Sequence, residues 1–251
     1  MNMEKLILCE VDALDLDAAL PLVGAYGSDR FGCLVTPNVD HLIRLGEDPE
    51  FRRIYSEANF VLLDSRVAAR LLRLRNGLRL PVCTGAEPTA ALFAGVIKPA
   101  DRIVVIGGAV PEAQRLRQLF GLRDLRHHDP PMNFWSDASA VEAALNFVEA
   151  ASPFRFCFLA VGSPQQERLA DALRRRGAAR GLTLCVGAAI NFLTGLERRA
   201  PPWMRALALE WLFRLLSDPR RLATRYLVRG PRVLGLLGRA TVVSRTAVGR
   251  D

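Results

Sequence analysis

Six short apolar runs separated by longer amphipathic stretches constrain this 251-residue chain more than any other feature. The runs are KLILCEV (5–11), FGCLVT (31–36), FVLLD (60–64), RIVVIGG (102–108), FRFCFLAVG (154–162) and LTLCVGAA (182–189). Between them, HLIRLGEDPEFRRIYSEA and PEAQRLRQLFGL carry apolar residues at three- and four-residue spacing, and QQERLADALRRRGAARG starts after Pro164 and stops at a glycine. Nearly continuous apolar strands alternating with helices predict an α/β fold, a parallel sheet with helices on both faces.

The pattern changes after about residue 197. WMRALALEWLFRLLS (203–217) predicts one amphipathic helix, and Asp218 then caps a new helix with Pro219 at its first position. That helix should run to about Arg229 and stop at Gly230-Pro231. RVLGLLGRATVVSRT beyond it reads as a third helix or a loose membrane-seeking tail. Residues 198–251 hold twelve arginines against three acids, a net of +9, which leaves residues 1–197 at −1 of the chain's +8. The expected organisation is a near-neutral body, 1–197, and a cationic helical C-terminal appendage, 198–251. Such an appendage suits an anionic membrane surface or phosphate. It lacks a nucleic-acid reading module, so no nucleic-acid partner is expected. No apolar run is long enough to span a bilayer. The five cysteines show no metal-ligand spacing and read as buried reduced thiols.

In an open parallel sheet, ligands bind outside the carboxyl ends of the strands. Four polar clusters fall there: Thr36 and Asn38; Asp64; Gly107 and Gly108; and the turn Gly162-Ser163-Pro164-Gln165-Gln166-Glu167. Together they predict one shared crevice. Asp64 is the candidate base, an acid ending an apolar strand where burial raises its pKa; the competing role is N-cap of the next helix. The amides of the Gly162–Glu167 turn can face an anion. Asp15-Leu16-Asp17 has the spacing of a metal-binding DxD but lies at a helix start, where acids suit the dipole. His127-His128-Asp129 is metal-like, but adjacent histidines point apart. No metal and no cofactor are expected. Arg221, Arg225 and Arg229 at i, i+4 and i+8 predict one basic helix face, with Arg214 on the preceding helix, suited to phosphate.

Read together, TPNVDHLIRLGEDPEFRRIYSEANFVLLD (36–64), VGSPQQERLADAL (161–173) and VGAAINFLTGLERRAPPWMRALALEWLFRLLSDPRRLATRYL (186–227) resemble the WecG/TagA/CpsF family, glycosyltransferase family 26. The third stretch is the most distinctive, with GxxxRAPxWM, LEWxxRL and DPxRLxxRY in order. The resemblance implies a Rossmann-like α/β body with a C-terminal appendage. It implies an inverting, metal-independent transferase that moves a sugar from a UDP-sugar donor to a polyprenyl-diphosphate-linked sugar acceptor in polysaccharide biosynthesis. Its place would be cytoplasmic, peripheral on the inner face of the cell membrane.

By position, Asp64 then resembles the catalytic base, Thr36 and Asn38 its neighbours, and Gln166 the glutamine of the PKQE motif. Arg214, Arg221 and Arg225 resemble the arginines that close over the diphosphate, and Gly107, Gly108, Gly162, Pro164, Glu167, Asn191 and Arg199 fall on substrate-binding stretches. The chain departs from the family pattern at Ser65 for glycine, Val82 for arginine, Glu87 and Asn191 for aspartates, and Gln165 for lysine. Two further readings compete. One is a non-catalytic membrane-associated regulator on the same fold. The other is a nucleotide-linked oxidoreductase, against which stands the missing GxGxxG fingerprint.

Overall fold

A computed structural model describes residues 5–245. The six apolar runs become strands β1 (Leu6–Asp12), β2 (Phe31–Val35), β3 (Phe60–Val61), β4 (Arg102–Ile106), β6 (Phe156–Leu159) and β7 (Gly181–Cys185), and two further strands, β5 (Asp124–His128) and β8 (Ala240–Arg245), lie outside those runs. Six of them form one sheet in the order β3-β2-β7-β6-β4-β5, and every pair is parallel. Parallel pairing puts all six carboxyl ends on one edge.

Side chains alternate between two cores because successive strand residues point to opposite faces. Ile103, Val105, Phe156 and Phe158 face a core closed by the helices Leu16–Gly24, Val110–Phe120 and Ala189–Thr194. Val104, Ile106, Cys157 and Leu159 face the other, closed by Val39–Glu47, Pro49–Ser56, Arg66–Asn76, Ala138–Ala150 and Gln165–Arg176. All five cysteines are buried free thiols. No helix among the described residues is long and apolar enough to cross a membrane.

Three expectations from the sequence are corrected. KLILCEV does not join the main sheet; β1 pairs in parallel with β8 as a separate two-stranded sheet. DLRHH, outside the six apolar runs, forms the edge strand β5, whose alternation sends His127 and His128 to opposite faces as the sequence predicts. The single helix expected over 203–217 breaks into Pro202–Ala206 and Glu210–Ser217, with Ala208 between them at φ 63°. The tail is neither all helix nor loose. Helix Arg232–Arg239 runs into β8, and Val233, Leu236, Leu237, Ala240 and Val242 enter the body's core. Residues 246–251 of the expected appendage lie outside the described residues.

Candidate functional site

At the β3–β2 end of the carboxyl edge lies a cavity of about 360 Å³. Its polar lining includes Asn38, Asp40, Asp64, Thr84, Arg205, Glu210, Arg214 and Arg225. Its apolar side includes Val39, Leu71, Trp211, Tyr226, Val233 and Leu234. The C-terminal segment thus forms one wall and the sheet edge the other.

Asp64 sits three residues beyond β3, in a turn fixed by its own N–H donating to the Pro37 carbonyl at 2.9 Å. It does not cap the helix Arg66–Asn76. Ser65 does, accepting from the Ala68 N–H at 3.1 Å with an extended φ of −164° that needs no glycine. The Asp64 carboxylate is therefore left for the cavity, reachable from it and enclosed by protein elsewhere. Burial pushes its pKa from 3.8 up to about 7; Arg214 pulls it down, Glu210 and Glu87 push it up, and Arg199 pulls it down. A carboxylate that titrates near neutrality is matched to proton abstraction.

Arg214 is aimed by two contacts. A terminal nitrogen donates to Glu210 Oε1 at 3.1 Å, and the guanidinium stacks 5.3 Å from the Phe192 ring centroid. Arg199 lies beside the cavity, donating to the Thr84 hydroxyl at 2.7 Å and standing 3.6 Å from Glu87. Glu87 in turn accepts from the Thr84 N–H at 2.8 Å. Asn191 is turned to its own loop, its side-chain amide donating to Glu197 at 3.0 Å.

Beneath the cavity is a buried polar layer. The Asn38 side chain caps the helix Val39–Glu47, accepting from Asp40 N at 3.0 Å and His41 N at 3.4 Å, while His41 Nδ1 accepts from Asn38 N at 3.4 Å. Burial lowers the His41 pKa, which keeps the ring neutral and able to accept. Thr36 is buried and its hydroxyl donates to the Cys185 carbonyl at 3.3 Å. Gln166 and Glu167 are 3% and 0% exposed. Gln166 donates to Glu167 at 2.8 Å and accepts from Gly187 N at 3.0 Å, which ties the start of its helix to the end of β7.

The glycine turns stand apart from the cavity. Gly107 and Gly108, at φ 92° and 78°, follow β4, and a Cβ on Gly107 would meet the Ala160 carbonyl at 3.0 Å. His127 on β5 holds this turn, Nε2 lying 2.8 Å from the Gly108 carbonyl. Gly162 and Pro164 follow β6. With strands about 4.8 Å apart, β6 and β4 stand roughly 14–19 Å along the edge from β3. The structure therefore brings Asn38, Asp64, Arg214 and Arg225 together at the cavity, seats Thr36, Gln166 and Glu167 below the edge, and sets Gly107, Gly108, Gly162 and Pro164 farther along it.

The basic stripe also changes. The helix from Pro219 continues as a π-helix over Thr224–Arg229, and the wider turn breaks the i, i+4, i+8 alignment. Arg225 and Arg229 turn together toward Asp40, at 3.8 and 3.6 Å. Arg221 instead donates to Asp218 at 2.7 Å, on the exposed side of its helix.

Asp40, Thr84, Arg205, Trp211 and Tyr226 line the cavity without being among the residues that the sequence pattern marks. Only the LEW and RY motifs held a signal for the last two. Asp15 accepts from the Ala18 N–H at 3.0 Å as the cap of the helix Leu16–Gly24. Residues 5–247 match the sequence model of the Glycosyl transferase WecG/TagA/CpsF family.

Proposed function

This chain belongs to the WecG/TagA/CpsF family of glycosyl transferases, and from that premise we propose that Asp64 is the base of an inverting sugar transfer from a UDP-sugar to a polyprenyl-diphosphate-linked saccharide. The observation that carries this is Asp64 itself, freed from capping by Ser65, pushed up to about 7 by burial and opening on the cavity.

The acceptor hydroxyl gives its proton to Asp64 as its oxygen attacks the anomeric carbon from the face opposite the leaving group. The bond from that carbon to the nucleotide diphosphate breaks, and the diphosphate departs with the negative charge. Arg214, whose guanidinium is already oriented by Glu210 and Phe192, balances that charge without a metal. The donor lies along the carboxyl edge, its nucleotide toward the Gly107-Gly108 and Gly162–Pro164 turns and its sugar toward Asp64. Asn38 shapes the acceptor side. Thr36, Gln166 and Glu167 support the site from below, since their side chains are buried and already hydrogen-bonded within the protein.

The body, 1–197, carries the chemistry, and the segment from 198 serves as cavity wall and as a surface for an anionic membrane on the cytoplasmic side. Trp203, Leu207, Leu216, Leu227 and Val228 are all more than half exposed there among arginines, a composition suited to a lipid interface. Release of UDP from a panel of UDP-sugars, dependent on an added polyprenyl-diphosphate saccharide, tests the reading. Release that ignores the acceptor would overturn it.

A further inference from the structure

Asp40 faces three arginines and is hydrogen-bonded to none of them. Arg44 lies 3.7 Å away, Arg225 3.8 Å and Arg229 3.6 Å, all beyond normal hydrogen-bond length for these groups. Asp40 Oδ1, Arg44 Nε and Arg225 Nε are buried atoms with no hydrogen-bond partner among the described residues. The cluster carries a surplus of two positive charges, since no other ion pair of these arginines occurs among the described residues. Unpaired guanidinium nitrogens are costly unless something fills them. One carboxylate held at a distance is a poor match for three forks, whereas a diphosphate has the oxygens and the charge to engage all three.

The surroundings say which diphosphate. Asp40 and Arg225 line the cavity together with Val39, Val233 and Leu234, and Leu234 is exposed at the surface. Those aliphatic side chains suit an isoprenoid chain better than a nucleoside with its polar edges. We infer that Arg44, Arg225 and Arg229 form a binding site for the diphosphate of a prenyl-linked acceptor, with Asp40 as the internal counterion it displaces. The two diphosphates of the reaction then have separate cationic partners: Arg214 beside Asp64 for the leaving nucleotide, and the Asp40 cluster for the lipid. The inference rests on the transferase reading above, but its test does not need turnover.

Calorimetric titration of the full chain with farnesyl diphosphate, and separately with UDP, makes the test. Arg44→Gln and Arg229→Gln lie on different elements, so a folding defect common to both is not expected, and far-UV circular dichroism checks each. Each should weaken farnesyl diphosphate about tenfold, the scale of one charge-assisted contact, and leave UDP within about twofold. Asp40→Asn removes the competing carboxylate and should tighten farnesyl diphosphate. Unchanged farnesyl diphosphate affinity in both folded arginine variants overturns the assignment. So does an equal loss for UDP, which would make this the nucleotide's site. Loss of binding to phosphatidylglycerol vesicles with farnesyl diphosphate unaffected would make the cluster a headgroup contact and also overturns it. Sugar transfer is scored separately: variant-sensitive binding without turnover from any UDP-sugar supports this site and rejects the reaction, and turnover with variant-insensitive binding does the reverse.

Discussion

Arg245 in β8 forks onto Asp12 in β1, donating from Nε to Oδ1 at 2.6 Å and from a terminal nitrogen to Oδ2 at 2.8 Å. Asp12 is fully buried and also accepts from the Val61 N–H at 2.7 Å. Val61 is the last residue of β3, so the C-terminal segment is pinned to the strand that leads to Asp64.

Removing one partner of a buried fork leaves an uncompensated charge. Arg245→Ala should cost about 3–5 kcal/mol and lower the melting temperature by roughly 10 °C. Melting within a degree or two of the parent would show that the fork adds nothing. The same contact makes truncation before the segment a poor probe, since that also strips Val233, Leu237 and Val242 from the core.

Arg214 is the cation that most lowers the Asp64 pKa, so its loss should shift the pH dependence as well as the rate. Without it Asp64 holds its proton to higher pH, and the acid limb of kcat/KM should move up. Arg214→Gln should also lower kcat/KM by about 10²-fold or more, the scale of one lost contact to developing charge. A rate loss with an unmoved acid limb would place Arg214 away from Asp64.

The sheet, its parallel sense and the position of Asp64 were legible in the apolar runs, because buried strands leave no polar residues to disguise them. The partner of β1 was not legible, since parallel pairing of strands more than 200 residues apart leaves no local trace. Nor was β5, where Arg126, His127 and His128 follow one another on an edge strand without the apolar pattern of the others. The site divided in the same way. Asp64 and Arg214 stand out in the sequence by their charge and position, and i, i+4 spacing puts Arg225 and Arg229 on one face, whereas their approach to Asp40 from a distant element leaves no local trace. Ser65, met in the sequence only as a departure from glycine, proves to be the cap that frees Asp64.

Membrane adsorption should depend on the exposed apolar side chains of the C-terminal segment as well as its arginines. Trp203 and Leu227 are 60% and 57% exposed. The double change Trp203→Glu/Leu227→Glu should cut co-sedimentation with anionic vesicles about tenfold or more, through lost apolar contact and added repulsion. Undiminished binding would leave the arginines as the sole contact.

With arginines balancing the diphosphate, turnover should be indifferent to chelation. Activity in excess EDTA should stay within about twofold of that in Mg²⁺ or Mn²⁺, well below the several kcal/mol a catalytic metal supplies. Loss on chelation, restored by either ion, would bring a metal into the mechanism.

Whether Asp64 acts as a base is read most directly from the pH profile of kcat/KM for the parent and Asp64→Asn in a direct transfer assay. A base with a pKa near 7 works only when ionised, so the parent should gain about tenfold per pH unit below 7 and level off above it. Asp64→Asn should fold, lose about 10²–10⁴ of the plateau rate and show no such limb. A variant that transfers sugar at the parent rate, or that keeps the same acid limb, would contradict the assignment.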